Sequence, residues 1–413
     1  MILFGEKKSD KTISDLIHFR NLIPNIRKSK IYSPDEEAAM NFSTILEEKT
    51  REIIESKKYK EAKKLAKKEN ENLNKPLHTF ENDEGTIVSL INPFSSSSII
   101  LSLSIDKKVN IFNFKEYKLI KELCNDAAPT KLFLLNKLNY IIIPKWDNTF
   151  SLININELKD KNLQDKNITF DNFIGHESWI LDAIELKNNK KNFITCGRDY
   201  TIQIWDLINK KCEKKLEGHS DNVNSIREIE ENKIISSSSD LTLKIWNINT
   251  GECLSTIIDG ELPVFQIEKI NANCIISRNE SPIMSIWNIK NNTLEKKLIS
   301  HFTNVICMLV LSNKKIASGS YDHTIKIWDQ NKDKEDGTLI GHKFTVFCLC
   351  EVEGNKLLSG SGDKSVKFWD LNNFKCLRTF VNHTNYVFSI LNLGNKIFCS
   401  GGYDGKVNIW KLN

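Results

Sequence analysis

Residues 341–370 read GHKFTVFCLCEVEGNKLLSGSGDKSVKFWD, and residues 218–247 read GHSDNVNSIREIEENKIISSSSDLTLKIWN. Both stretches place glycine, histidine, serine, aspartate and tryptophan at the same offsets. The tryptophans extend the comparison along the chain: Trp205, Trp246, Trp287, Trp328, Trp369 and Trp410 are each 41 residues apart. Stepping back from Trp205 by 52 reaches Ile153, and a further 41 reaches Phe112. Both lie in look-alike segments, TFSLINI at 149–155 and KVNIFNF at 108–114. A fixed period in this range means that one supersecondary unit is copied and stacked.

Each copy carries the same polar residues. Six positions before the anchor stands an acid (Asp106, Asp147, Asp199, Asp240, Asp322, Asp363, Asp404), replaced only in the fifth copy, by Ser281. Four positions earlier stands a hydroxyl, replaced only in the second copy, by Ile143. A histidine lies 27 before the anchor at His219, His301, His342 and His383, and His176 lies 29 before Trp205 because NNKK at 188–191 lengthens a hairpin. The first, second and fifth copies have Gly85, Asp126 and Gly260 there. TIKIW, SVKFW and KVNIW alternate polar and apolar residues, the period of a half-buried strand. SYDHT, SGDKS and GYDGK are the turns between strands.

These residues resemble the WD40 repeat family over about residues 76–413, most closely in the last six copies. The Trp-Asp dipeptide itself stands at 205–206, 328–329 and 369–370. The resemblance implies four short strands per repeat, each repeat one blade of an all-β propeller. Eight anchors then mean eight blades. It also implies that the Asp, His, Ser/Thr and Trp of each blade hydrogen-bond in series. The expected network comprises His176, Asp199 and Trp205; His219, Asp240 and Trp246; His301, Asp322 and Trp328; His342, Asp363 and Trp369; and His383, Asp404 and Trp410. Ser, His and Asp together suggest a hydrolase, but a catalytic triad is needed once and this set recurs five times or more. SGSGDK at 359–364 lacks the spacing of a phosphate loop and reads as a hairpin turn.

The last anchor is followed only by Lys411, Leu412 and Asn413, so the final blade needs a fourth strand from elsewhere. PLHTF at 76–80 matches CLRTF at 376–380, the outer strand before the last repeat. Residues 76–80 are therefore expected to complete the last blade and close the ring. This gives a propeller at 76–413 and an N-terminal extension at 1–75.

The extension shows no repeat. SDKTISDLIHF at 9–19 reads as a short helix, and Ser33-Pro34-Asp35-Glu36 is a helix start, with Ser as N-cap and Glu three residues on. A helix over about 34–70 would carry a stripe of Ala38, Phe42, Ile45, Leu46, Ile53 and Ile54. The fold class is thus an eight-bladed WD40 β-propeller with an N-terminal α-helical extension.

Net charge is +5. Residues 1–75 hold 17 Lys and Arg against 13 Asp and Glu, and the remainder holds 41 against 40. A near-neutral propeller argues against a broad nucleic-acid footprint. The ten cysteines include the repeat-locked Cys212, Cys253 and Cys376, and Cys307 and Cys348. These read as single packing thiols, not as disulfide partners or metal ligands, in a reducing compartment. No metal, other cofactor or membrane span is expected, and the start MILFGEKKSD is too short in apolar run for a signal peptide. The expected location is cytoplasmic, with the nucleus as alternative.

By the same resemblance, peptides bind where the strand-4-to-strand-1 and strand-2-to-strand-3 loops emerge. Three positions per blade point there: three and five after the histidine, and the residue before the turn aspartate. They supply Trp179, Phe265, Phe347, Tyr386 and Phe388 from the first two positions, and Trp146, Arg198, Tyr321 and Tyr403 from the third. Exposed aromatics around a concave rim suit a peptide or protein. The expectation is a non-enzymatic scaffold, a monomeric propeller within a larger complex, that binds a protein or peptide partner on this rim. Two alternatives are an adaptor or substrate receptor of a ubiquitin-ligase-type complex that recruits through residues 1–75, and a nucleic-acid-associated scaffold using the basic stretch Lys57–Lys68.

Overall fold

The structure, a computed structural model, describes residues 75–412 except 82–84, 94–97, 125–130, 146, 160–167, 169, 189–190, 300 and 333. The expected helices of the extension, and Trp146, lie outside the described residues. The chain divides into two compact units, Met1–Leu73 and Asn74–Asn413.

The second unit is an all-β, eight-bladed propeller. Its described strands form eight four-stranded antiparallel sheets. Blade 7 shows the pattern: Val346–Val352 innermost, then Lys356–Ser361, Ser365–Asp370 and Lys375–Val381 outermost. Blade 8 runs Val387–Gly394, Ile397–Gly402 and Lys406–Lys411, and its outermost strand is His78–Glu81. Phe80 stands opposite Val407, and His78 opposite Ile409. Arg378 stands opposite Phe368 in blade 7, the equivalent register. Thr79 Oγ1 donates to Asn408 Oδ1 at 2.7 Å, 329 residues away in sequence.

The apolar core is not central. Among the described residues it is divided into eight clusters, and each bridges two neighbouring blades. Trp369 of blade 7 packs with Leu339 of blade 6, and Trp410 of blade 8 with Phe380 of blade 7. The period follows from this division. Seven of the eight seams are filled by a large ring, which a fixed repeat delivers to the same place each time, and the seam of blades 1 and 2 is aliphatic around Ile153. Between blades 8 and 1 the ring is Phe112, stacked on Phe80 with centroids 4.2 Å apart.

The turn between the second and third strands explains why the aspartate recurs. Asp199, Asp240, Asp322 and Asp363 each accept the main-chain N–H two residues on through Oδ1, closing the turn with the side chain. The intervening residue is left-handed: Tyr200, Leu241, His323 and Lys364 have φ between 67° and 72°. Blade 5 has Pro282 there, and a proline ring forbids positive φ. Its turn is held by Ser281, whose Oγ accepts from Ile283 N–H at 3.0 Å.

The repeat-locked cysteines correct one expectation. Cys253 and Cys376 are exposed and Cys212 is half-buried, so packing does not account for them. Each sits at a bulge of an outermost strand. There each thiol donates to the carbonyl two residues on, at 3.4 Å.

Candidate functional site

Two systems, one polar and one aromatic, meet at the face where the turns and the inter-blade loops emerge. The first holds the blades in shape. In blades 3, 4, 6, 7 and 8 the indole N–H of the anchor donates to the Ser or Thr hydroxyl at 2.7–2.8 Å. The hydroxyl lies 2.6–2.8 Å from histidine Nε2, and Nδ1 lies 2.7–2.9 Å from the aspartate. A carboxylate only accepts, so Nδ1 carries the proton and the hydroxyl donates to Nε2. The aspartate also accepts the main-chain N–H following the histidine, as Asp363 does from Lys343 at 2.9 Å. It therefore ties the inter-blade loop to the turn. Burial pushes the carboxyls of Asp240, Asp322 and Asp363 up, but the hydrogen bonds from histidine and hydroxyl outweigh it and hold them well below the ordinary range. Burial lowers the pKa of His342. The constellation is imidazole beside carboxylate, saturated with internal partners, and it leaves none of its five hydroxyls free to attack a substrate.

Blade 5 solves the same problem differently. Asp259, absent from the sequence-based candidates, enters from the inter-blade loop beside Gly260. Its Oδ1 accepts from Ser277 Oγ at 2.9 Å and from Trp287 Nε1 at 2.5 Å. Its Oδ2 is buried with no hydrogen-bond partner among the described residues. Burial pushes the carboxyl up to about 6, against the hydrogen bonds that lower it. The folded state thus holds a proton that the unfolded chain, titrating near 3.9, releases. Stability from this group is highest at low pH and is lost as pH rises through about 4–6. Asp259→Asn keeps an acceptor and removes the charge. It is expected to stabilise the fold by about 2–3 kcal/mol at pH 7.5 and hardly at all at pH 4. Thermal unfolding of both forms at the two pH values checks this, and equal shifts at both would refute it.

The second system is aromatic. The structure brings Phe347, Tyr386, Phe388 and Tyr403 together across blades 7 and 8. Phe347 lies 4.9 Å from Phe388 and 5.8 Å from Tyr386, and Tyr403 lies 6.2 Å from Phe388 and 6.3 Å from Tyr386, between ring centroids. All four retain accessible surface, and Tyr403 is exposed. The sequence reasoning missed a further ring, Phe344. It stacks on Tyr386 at 5.5 Å and on His323 at 5.9 Å. Gly362 makes room for it, because a Cβ there would lie 2.2 Å from the Phe344 ring. His323, Phe344, Tyr386, Phe347, Phe388 and Tyr403 thus form one continuous aromatic surface over blades 6, 7 and 8.

The remaining candidates are dispersed. Tyr321 is exposed and makes no ring contact among the described residues. Arg198 lies over the ring of Trp179, 4.3 Å from its centroid, a cation–π pair on blade 3. Phe265 is exposed on blade 5, with Arg278 at 5.9 Å.

Comparison with known proteins fits this architecture. The family profile described as WD domain, G-beta repeat matches residues 168–206, 210–247, 292–329, 334–370 and 374–411. No curated protein sequence matches the chain. Among solved structures, the chain is similar to the computationally designed Ika8 protein, with 22% identity and a TM-score of 0.71 over 82% of this chain and 100% of that one. It is similar also to Sqt1 of Saccharomyces cerevisiae, with 12% identity and a TM-score of 0.71 over 82% of this chain and 99% of that one. At these identities the likeness is one of fold.

Proposed function

Because the chain is a WD40-repeat β-propeller protein, of a fold whose members generally serve as non-catalytic interaction scaffolds, we propose that it binds a peptide segment of a protein partner on its aromatic rim. The observation that carries this is the continuous surface of Phe344, Phe347, Tyr386, Phe388 and Tyr403. Aromatic rings kept partly open to solvent cost free energy in the unbound fold and stabilise a complex that covers them. The saturated histidine–aspartate network supports the non-enzymatic part of the proposal, since its groups are engaged in holding turns. The proposed adaptor and nucleic-acid roles depend on residues 1–75, which lie outside the described structure except for Lys75, and the rim is the surface with an observed geometry.

Phe347→Ala with Phe388→Ala is the direct test, using a partner recovered by affinity purification with the full chain. Two central rings at hot-spot strength correspond to about a 100-fold or greater loss of affinity. Both side chains are only half-buried, so the unfolding midpoint is expected to move by a few degrees at most. Binding that survives the pair, but is lost on altering outermost strands, would place the interaction elsewhere.

A further inference from the structure

Arg278 stands one residue from the end of the second strand of blade 5, Cys274–Asn279, beside the turn on the rim face. The same position is Cys196 in blade 3, Ser237 in blade 4, and Gly319, Gly360 and Gly401 in blades 6, 7 and 8. The space is tight there, since a Cβ on Gly319 would lie 2.8 Å from Val346 of the next blade. Blade 5 instead directs a guanidinium to its seam with blade 6. Its Nε–H donates to Gln266 Oε1 at 3.1 Å and Nη1 donates to the Val305 carbonyl at 3.2 Å. Two of the five N–H groups are so used, and the other three have no partner among the described residues. No carboxylate lies within ion-pairing distance among these residues.

The contrast with Arg227 of blade 4 is chemical. Arg227 is forked between Glu268 and Asp182, with contacts of 2.7 Å to each, and these carboxylates raise its pKa against the effect of burial. Among the described residues the Cys307 thiol is the one titratable group acting on Arg278, and burial lowers the arginine's pKa. Gln266 passes between the two, donating to Glu268 Oε1 at 3.2 Å while accepting from Arg278. A buried cation with neutral neighbours is costly unless an anion joins it. Arg278 retains accessible surface, and the exposed Phe265 ring lies beside it, so an anion can arrive from the rim.

We propose that Arg278 receives an acidic side chain, Asp or Glu, of the partner segment held on the aromatic rim. The proposal rests on the rim as the binding face. A carboxylate presents two coplanar oxygens that match the free fork, and its single charge balances one guanidinium that has no second cation beside it among the described residues. A phosphoryl dianion would leave a surplus negative charge in the same place.

The test uses a random dodecapeptide display library panned on the full chain, with winners resynthesised. Peptides are expected to share an Asp or Glu at fixed spacing from an aromatic or aliphatic residue. Changing that acid to Gln or Asn should weaken binding to the native chain about tenfold or more, and should not change binding to Arg278→Met. Arg278→Met should unfold at the same temperature as the native chain or higher, because it removes an uncompensated charge. A lower midpoint for both Arg278→Met and Arg278→Gln would show that the arginine is structural and overturn the proposal. Should Arg278→Met fold poorly, Arg278→Gln carries the same comparison. Winners that depend on Phe347 and Phe388 but show no acid preference, or keep it on Arg278→Met, would overturn the Arg278 assignment and leave the rim standing. Winners indifferent to Phe347→Ala with Phe388→Ala would overturn the rim itself. Tighter binding of a phosphoserine-substituted winner than of the acidic original would reject the carboxylate.

Discussion

Trp369→Ala is expected to destabilise the propeller by about 3–5 kcal/mol, the cost of removing a large ring from a close-packed core. Trp369 is fully buried at the seam of blades 6 and 7, among Leu339, Val346 and Leu357. Its indole N–H also donates to Ser359 Oγ at 2.7 Å, and that hydroxyl serves His342. The alanine variant loses the packing, leaves a cavity between two blades and strips one partner from the network. Trp369→Phe separates the two effects. It keeps a ring and removes the donor, so it is expected to cost about 1–2 kcal/mol. Blade 1 gives a natural precedent: its anchor is Phe112, and Ser102 Oγ there is buried without a partner among the described residues. Urea unfolding followed by circular dichroism checks the pair. Equal losses for the two variants would mean that the hydrogen bond matters and the seam packing does not.

The second large effect is expected from the strand that completes blade 8. A chain beginning at residue 82 lacks Phe80, which is buried against Phe112 and Val407. It also lacks the ladder from His78–Glu81 to Lys406–Lys411. Losing that aromatic alone costs about 3–5 kcal/mol, and the third strand of blade 8 becomes an open edge available to other chains. The truncated chain is expected to unfold several degrees below a chain beginning at residue 75 and to aggregate on heating. A synthetic peptide of residues 75–81 added in trans should raise its midpoint with concentration, as any ligand of the folded state does. If the two truncations unfold together, and the peptide changes nothing, the strand contributes no closure.

The ring was legible because its seams repeat. Most of its interfaces carry a large ring, a turn aspartate and a hydroxyl at one offset, and the 41-residue spacing of the last six anchors follows. What broke the repeat was harder to read. Asp259 does the work of the histidine in blade 5 from one position earlier, and an acid next to Gly260, in the tryptophan-bearing copy lacking both His and Asp, was the available signal. Phe344 joins the aromatic surface only because Gly362, 18 residues later, has no Cβ. The isolation of Arg278 depends on which carboxylates its neighbours place across two blades, and no local pattern encodes that. The rim rule named Phe347, Tyr386, Phe388 and Tyr403 individually, but their union into one surface depends on the rotation between adjacent blades.

The closing strand also sets a timetable for the molecule's birth. Thr79 meets Asn408 across 329 residues of sequence, so at ordinary ribosomal rates it waits roughly 15–65 s for its partner to be synthesised. During that interval Phe80 sits on an unpaired strand of the nascent chain, while the middle blades, whose contacts are local, can already form. The joint that removes the ring's open edge therefore forms only after the third strand of the eighth blade has been synthesised.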